Sequence, residues 1–318
     1  MRSEDEMRRL MAALSRQFGD PLIAAMSDPL TNDIQLNADG VWWWERFGRG
    51  REQGGVLAKS AAETLMGSIA HYLGQTVGYD HPVLEGRLPF NDCRFAGVMP
   101  PIVTAPAFSI RRPGVIFTLF QYVKTGSIAA KDARRLRSAY LAGKNILIIG
   151  GTGAGKTMLL NAMLALLATY KPETRVLIAE DTPEVQCKLP NHVSMVTKVS
   201  EPAVNLAALI KLALRFKPDR IIVGEVRDGT AADMLEAWNT GHLGGLGTIH
   251  ANDCRSAVQR LADMLRKANI PQEVALRQIA TSVDIMVSIQ RMPDGKRKIN
   301  EIVQLDGINE GEIQFKPF

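Results

Sequence analysis

Cysteine is scarce in this chain of 318 residues. Cys93, Cys187 and Cys254 lie far apart and form no C-x-x-C pair, so neither a disulfide framework nor a cysteine zinc module is expected. Long apolar runs are also missing: none approaches the roughly 18 residues that cross a bilayer. No block of charge of one sign appears. The net charge of +5 is shared between the two halves without a basic tail or stripe. That distribution gives no argument for direct, sequence-specific nucleic-acid binding, and it permits peripheral contact with acidic lipid headgroups without arguing for it. Repeats and low-complexity tracts are absent as well. The opening Met1-Arg2-Ser3-Glu4-Asp5-Glu6 is acidic and lacks an apolar core, so a secretory leader is not expected and a cytoplasmic placement is. What is left is a soluble chain of about two domains, with 46% hydrophobic and 22% charged residues.

Against these absences stands one contiguous pattern. Gly150-Gly151-Thr152-Gly153-Ala154-Gly155-Lys156-Thr157 fits G-x-x-x-x-G-K-[ST]. The short apolar stretch Asn145-Ile146-Leu147-Ile148-Ile149 precedes it as a buried parallel strand, and Met158 to Leu167 follows as a buried helix without Gly or Pro. In that setting glycines let successive N–H groups face a phosphate, and the helix N-terminus adds positive charge. Lys156 is placed to reach the β- and γ-phosphates, and the Thr157 hydroxyl to hold Mg²⁺. The pattern predicts a nucleoside triphosphate site.

Around it the chain divides into two compositional regimes. Met7, Leu10, Met11, Leu14 and Phe18 mark an amphipathic helix, read either as packing on its own domain or as a docking helix. Ile34–Asn37 and Val41–Glu45 flank Asp39-Gly40 as a hairpin. Of the three tryptophans Trp42, Trp43 and Trp44, alternation sends at least one to the opposite face. A helix near 61–73 and strands at 94–98, 108–112 and 115–120 complete a small α+β domain. Beyond residue 139, strands at 175–179 and 221–224 alternate with helices at 204–216 and 231–239, which argues for a parallel sheet covered on both faces. Helices near 256–265 and 272–282 follow, and strands 283–290 and 298–305 bracket Pro293-Asp294-Gly295 as a terminal hairpin.

Catalytic groups of such a sheet belong at the carboxyl ends of its strands. Three segments place polar residues there: Glu180-Asp181-Thr182-Pro183-Glu184, Gly224-Glu225-Val226-Arg227, and the Gly-rich 241–247 stretch leading to His250. Hydrolysis of a γ-phosphate requires a metal, an oriented water and positive charge. Glu225 is the leading carboxylate and Glu180 can serve the same purpose, so the base is left open between them. His250 reads as a sensor of the γ-phosphate or as its coupling to a subunit contact. The run of glycines before it reads as close backbone packing or a movable turn.

In order and spacing these segments resemble the four signatures of the type II/IV secretion-system traffic ATPases, and more narrowly the type IV secretion branch with its conjugal-transfer members. The resemblance implies a RecA-like P-loop NTPase domain with a mainly parallel sheet, preceded by a smaller α+β domain: residues 1–125, a linker 126–136, and 137–318. It implies ATP hydrolysis with Mg²⁺ held by Thr157, Glu225 and Glu180, and catalysis by Lys156, Glu225, Glu180, Arg111 and His250. The nucleotide contacts it implies are Gly150, Gly151, Thr152, Gly153, Ala154, Gly155, Lys156, Thr157 and Met158, joined by arginines from the first domain. Arg94 and Arg111 match those arginines in the segment Arg94, Pro100-Pro101 and Ile110-Arg111-Arg112-Pro113, with Arg112 as the adjacent fallback. A homohexameric ring, inner-membrane partners of a conjugation apparatus and peripheral attachment to that membrane also follow from the resemblance. Two rivals share the core fold, an ATP-gated scaffold with little turnover and a nucleic-acid helicase.

Overall fold

The computed structural model describes residues 4–46, 49–113, 116–198, 201–293 and 295–318. The chain folds as two compact units, Met1–Val115 and Ile116–Phe318.

The first unit contains α1 (Glu4–Ser27), β1 (Thr31–Leu36), β2 (Val41–Arg46), β3 (Gly50–Val56), α2 (Lys59–Leu73), β4 (Val83–Arg87), β5 (Arg94–Val98) and β6 (Ala107–Arg111). Its six strands form one antiparallel sheet in the order β3-β2-β1-β6-β5-β4. The expected hairpin is β1–β2, turning at Gly40 with a φ of 83°. Helix α1 is broken where Gly19 adopts a non-helical φ of 73° and Pro21 restarts the helix. Its apolar stripe serves two environments. Leu14 and Phe18 are core, whereas Met11 is exposed. Trp42 is buried over Gly54 and Gly55 of the neighbouring strand. Trp44 donates its Nε1–H to Thr31 Oγ1 at 2.8 Å under the Arg46 guanidinium, and both rings join the core around Phe95 and Ile34.

The second unit begins with α3 (Leu119–Lys124) and α4 (Ala130–Leu141). It continues through β7 (Ile146–Ile149), α5 (Lys156–Tyr170), β8 (Val176–Glu180), β9 (His192–Val196), α6 (Leu206–Leu214) and β10 (Arg220–Val226). After these come α7 (Thr230–Asn239), β11 (Leu246–Ile249), α8 (Cys254–Lys267), α9 (Gln272–Ser282), β12 (Ile285–Arg291), β13 (Arg297–Asn309) and β14 (Glu312–Pro317). The sheet order is β14-β13-β12-β7-β11-β10-β8-β9, with six parallel strands from β12 to β9 and two antiparallel ones at the other edge. The short strands β7, β8 and β11 are buried along their full length, because helices cover both faces. One core lies under α6 to α9 and the other under α3, α4 and α5. This is the expected α/β architecture, with a smaller α+β unit before it.

Two expectations are corrected. The strand expected at 115–120 does not form: Val115 lies outside the described residues, and Leu119 and Phe120 open α3. Thr118 caps that helix, its hydroxyl accepting from the Gln121 N–H while the Gln121 side chain accepts from the Thr118 N–H. That reciprocal cap starts a helix at Leu119, inside the run expected to be a strand. Nor is 126–136 a linker. It holds the first half of α4, with Ile128, Ala133 and Leu136 buried in the second unit's core. The boundary between the units therefore falls at Val115, well before the one expected at 125. The terminal hairpin forms as β12–β13, with Asp294 of its turn outside the described residues, and β14 extends it by a strand that the sequence pattern does not announce.

Candidate nucleotide site

Strands β7, β8, β10 and β11 run parallel, so the turns after them collect along one edge of the sheet. The 150–155 loop leaves β7 and enters α5 through Gly155, whose φ of 101° no L side chain adopts without strain. Lys156 opens the helix and is 7% exposed. Its ammonium donates to the carbonyls of Gly150 at 3.1 Å and Gly151 at 3.2 Å, and stands 3.2 Å from both ring nitrogens of His250. It lies 3.7 Å from Glu225 Oε1. The loop thus holds its own cation in the concavity built for an anion.

Glu225 is the hub of this arrangement. Its Oε2 accepts from Arg227 Nε at 2.8 Å and Nη2 at 2.5 Å. Its Oε1 lies 2.6 Å from His250 Nε2, yet this buried oxygen accepts no aligned hydrogen bond. Burial depresses the Lys156 ammonium below its ordinary range, opposed in part by the charge of Glu225. Burial also lowers His250, and the neighbouring Lys156 charge lowers it further. The hydrogen bond to Glu225 raises Arg227. Lys156, Glu225 and His250, 25 positions or more apart in the chain, stand together at the carboxyl edge of the sheet.

Glu180 ends β8 in a different environment. It is 3% exposed, and its Oε2 accepts from the backbone N–H groups of Glu184 at 2.9 Å and Val185 at 3.0 Å. Gly224 makes room for it, since a Cβ there would stand 2.8 Å from Glu180 Cβ. The carboxylate that meets the loop threonine is instead Glu184, with the Thr157 hydroxyl donating to its Oε2 at 3.4 Å. Sequence reasoning gives no role to Glu184 or Arg227. For Arg227 a signal exists: it lies two residues after Glu225, on the same side of an extended chain.

Mg²⁺ takes oxygen ligands and is held by one or two carboxylates plus substrate phosphates. Among the described residues no group of three or more His, Cys, Asp or Glu could hold a metal alone. The unaligned buried Oε1 of Glu225 and the hydroxyl of Thr157 fit the phosphate-dependent mode.

The glycine stretch before His250 is the packed alternative of its two readings. A Cβ at Gly245 would lie 2.2 Å from Trp238 Nε1, and one at Gly244 would lie 2.4 Å from Arg220 Nη1. The Asn145 side-chain oxygen accepts from the N–H groups of both glycines at 2.8 Å, which ties this turn to the start of β7.

In the first unit, Arg87, Arg94 and Arg111 fall in register on β4, β5 and β6, with Asp33 of β1 next in the row. Alternation with buried Phe95 and Ile110 turns Arg94 and Arg111 away from that unit's core. Arg112 is directed elsewhere, its guanidinium donating to the carbonyls of Met26 and Pro29.

A glycine loop between a buried parallel strand and a buried helix, with lysine and threonine at the helix start, defines a P-loop nucleotide-binding domain. Comparison with known proteins narrows that class. The profile described as Type II/IV secretion system protein matches residues 88–305. The conjugal transfer protein TrbB of Rhizobium radiobacter is 41% identical, over 98% of this chain and 94% of its own length. The type IV secretion system protein PtlH of Bordetella pertussis is 30% identical over 87% and 91%. The solved structure of the Legionella pneumophila ATPase DotB matches in fold, with a TM-score of 0.65 at 19% identity over 96% of this chain and 82% of its own. The chain belongs to the type II/IV secretion system protein family.

Proposed function

We propose that this protein is a traffic ATPase that hydrolyses ATP to power conjugative transfer or pilus assembly in a type IV secretion apparatus. The names of its relatives support the transport role, and the site supports the chemistry. One observation carries that chemistry: Lys156, Glu225 and His250 converge at the phosphate loop from three parallel strand ends. In this reading the backbone of Gly150 to Thr157, continuing into Met158, receives the triphosphate, and Lys156 exchanges its loop carbonyls for phosphate oxygens. Thr157 and Glu225 are the residues that would hold Mg²⁺, which when bound would neutralise phosphate charge. Once Lys156 has turned to the phosphates, Glu225 faces the terminal phosphate and His250 senses it.

The reading extends to the first unit. Arg94 and Arg111 supply positive charge to the nucleotide when the units close, which makes hydrolysis a cycle of domain motion. A homohexameric ring repeats one head-to-tail contact until it closes. It works from the cytoplasm against inner-membrane components of the apparatus. Among the described residues no helix is long and apolar enough to cross a membrane.

Steady-state phosphate release with Mg²⁺ and ATP tests the chemistry. Wild type turns over, Lys156→Ala falls at least about a hundredfold, the scale of losing a preorganised charge contact, and Arg111→Ala is slowed. Wild-type rates from Lys156→Ala would refute the site. ATP binding without turnover in every oligomeric state would favour the scaffold. Native mass measurement with and without ATP tests the ring.

A further inference from the structure

Lys131-Asp132-Ala133-Arg134-Arg135-Leu136-Arg137 holds four cations and one acid, too short a run to stand out along the chain as a basic block. Wound as α4, the run sorts by face. Ala133 and Leu136 turn inward and are buried. Lys131, Arg134, Arg135 and Ser138 follow the i, i+3, i+4, i+7 spacing and share an exposed face. With Gln304 of β13 and Phe318 they line a recess of about 430 Å³. The Arg135 guanidinium lies 4.9 Å from the centre of the Phe318 ring, a cation–π contact that restrains the plane of its donor fork.

The fold itself gives no reason to gather these charges. Among the described residues no carboxylate pairs with Lys131, Arg134 or Arg135. Like charges at i, i+3 and i, i+4 weaken a helix, and cations near its N-terminus oppose the helix dipole. Asp132, the acid of the first turn, offsets part of this but lines a separate and smaller recess with Glu301. Phe318 borders both recesses. Acids and bases on this surface are thereby segregated, so that an anion is repelled from one recess and drawn into the other.

We propose that the basic recess on α4 is a second anion site, separate from the nucleotide loop, that takes a small phosphate-bearing molecule. It is independent of ATP turnover at the loop. Arg134 and Arg135 bring planar forks that match phosphate oxygens two at a time, and Lys131 adds a third charge. The Ser138 hydroxyl and the Gln304 amide are neutral donors on the same recess, and Phe318 gives it an apolar wall. Its volume falls within the range of small-ligand sites. A bilayer or a nucleic-acid backbone presents its phosphates along a longer track, and the recess holding Asp132 and Glu301 interrupts any such track here.

Isothermal titration of the full-length chain with pyrophosphate, in EDTA, tests the site. Lys156→Ala weakens binding at the nucleotide loop and should still take up one pyrophosphate per chain. In that background Arg134→Gln and Arg135→Gln should each weaken the remaining binding about tenfold, the scale of one charge-assisted contact. Arg135→Lys keeps the charge without the planar fork and should lose about threefold. Arg137→Gln is the control, with the same charge change on the same helix. Its guanidinium lies 5.6 Å from the centre of the Tyr170 ring, outside the recess, and its loss should change affinity by less than about twofold. Without pyrophosphate, Arg134→Gln should melt no lower than its parent, because it relieves repulsion along α4. With wild-type Lys156, Arg134→Gln should bind ADP as the unaltered chain does, so failure at the loop and failure at α4 are read separately. No pyrophosphate on Lys156→Ala, binding indifferent to both recess arginines, or an equal loss from Arg137→Gln would overturn the site. Capture by phosphatidylglycerol vesicles that Arg134→Gln abolishes, with no pyrophosphate bound, would overturn it in favour of a lipid headgroup.

Discussion

Two glycine-rich turns flank the same part of the second sheet and use glycine for opposite reasons. In the phosphate loop, a Cβ at Gly151 or Gly153 would have no heavy atom within 4 Å. The space beside these glycines is open. In the turn before β11, a Cβ at Gly245 would strike the Trp238 indole at 2.2 Å. There glycine is a packing residue, letting backbone lie against a buried ring whose Nε1–H donates to the Ile221 carbonyl at 3.1 Å. One turn keeps room for a ligand, and the other gives up all room to hold β10, α7 and β11 together. Composition alone cannot tell these apart; the neighbour in space does.

The largest expected effect comes from filling the packed turn. Gly245→Ala should destabilise the second unit by about 3 kcal/mol, the upper end of overpacking costs, because neither Trp238 nor the strand behind it can retreat. Urea denaturation gives the value, and a loss under about 0.5 kcal/mol would mean the turn has slack. Trp238→Phe should cost about 2 kcal/mol by leaving the Ile221 carbonyl unsatisfied and a void beside α7. In a Gly245→Ala background the same substitution should cost less, since the smaller ring accepts the new methyl. Strict additivity in that cycle would remove the indole contact as the reason for the glycine. Gly151→Ala reverses the pattern. Its melting temperature should stay near wild type while ATP affinity falls about tenfold, or 1.4 kcal/mol, as the methyl enters the phosphate space. A stability loss without an affinity loss would erase the contrast between the turns.

How much of this is legible in the chain depends on whether the deciding neighbours are close in sequence. The phosphate loop is readable because strand, glycines, lysine and helix are contiguous. The meeting of Glu225 and His250 with Lys156 is readable only through the alternation of strands and helices, which puts strand ends on one edge. Glu180 and Glu184 cannot be sorted from sequence: four residues apart in a turn, both acidic, they are distinguished by Asn161 and Gly224, which arrive from other elements. Gly19-Asp20-Pro21 carries the signals of one helix ending and another starting, but the apolar stripe through Phe18 masks them. Thr118-x-x-Gln121 likewise announces α3 beneath a run that reads as strand.

The smallest effect tests a contact adjoining both turns through His250. Three residues later, Asp253 caps α8, its carboxylate accepting from the Ser256 N–H at 2.7 Å while Ser256 Oγ accepts from the Asp253 N–H at 3.0 Å. Asp253→Ala should cost about 1 kcal/mol, typical of an N-cap, because only the first turn loses its partner and buried Cys254 still anchors it. The acceptor role, chiefly toward the Ser256 N–H, holds the Asp253 carboxyl below its ordinary value of 3.8. A depressed acid stabilises the fold above its unfolded pKa and loses that contribution as pH falls through the folded one. The gap between wild type and Asp253→Ala should therefore be full at neutral pH and shrink below 3.8. A gap that stays constant into that acidic range would assign the effect to helix propensity rather than to the charge at the cap.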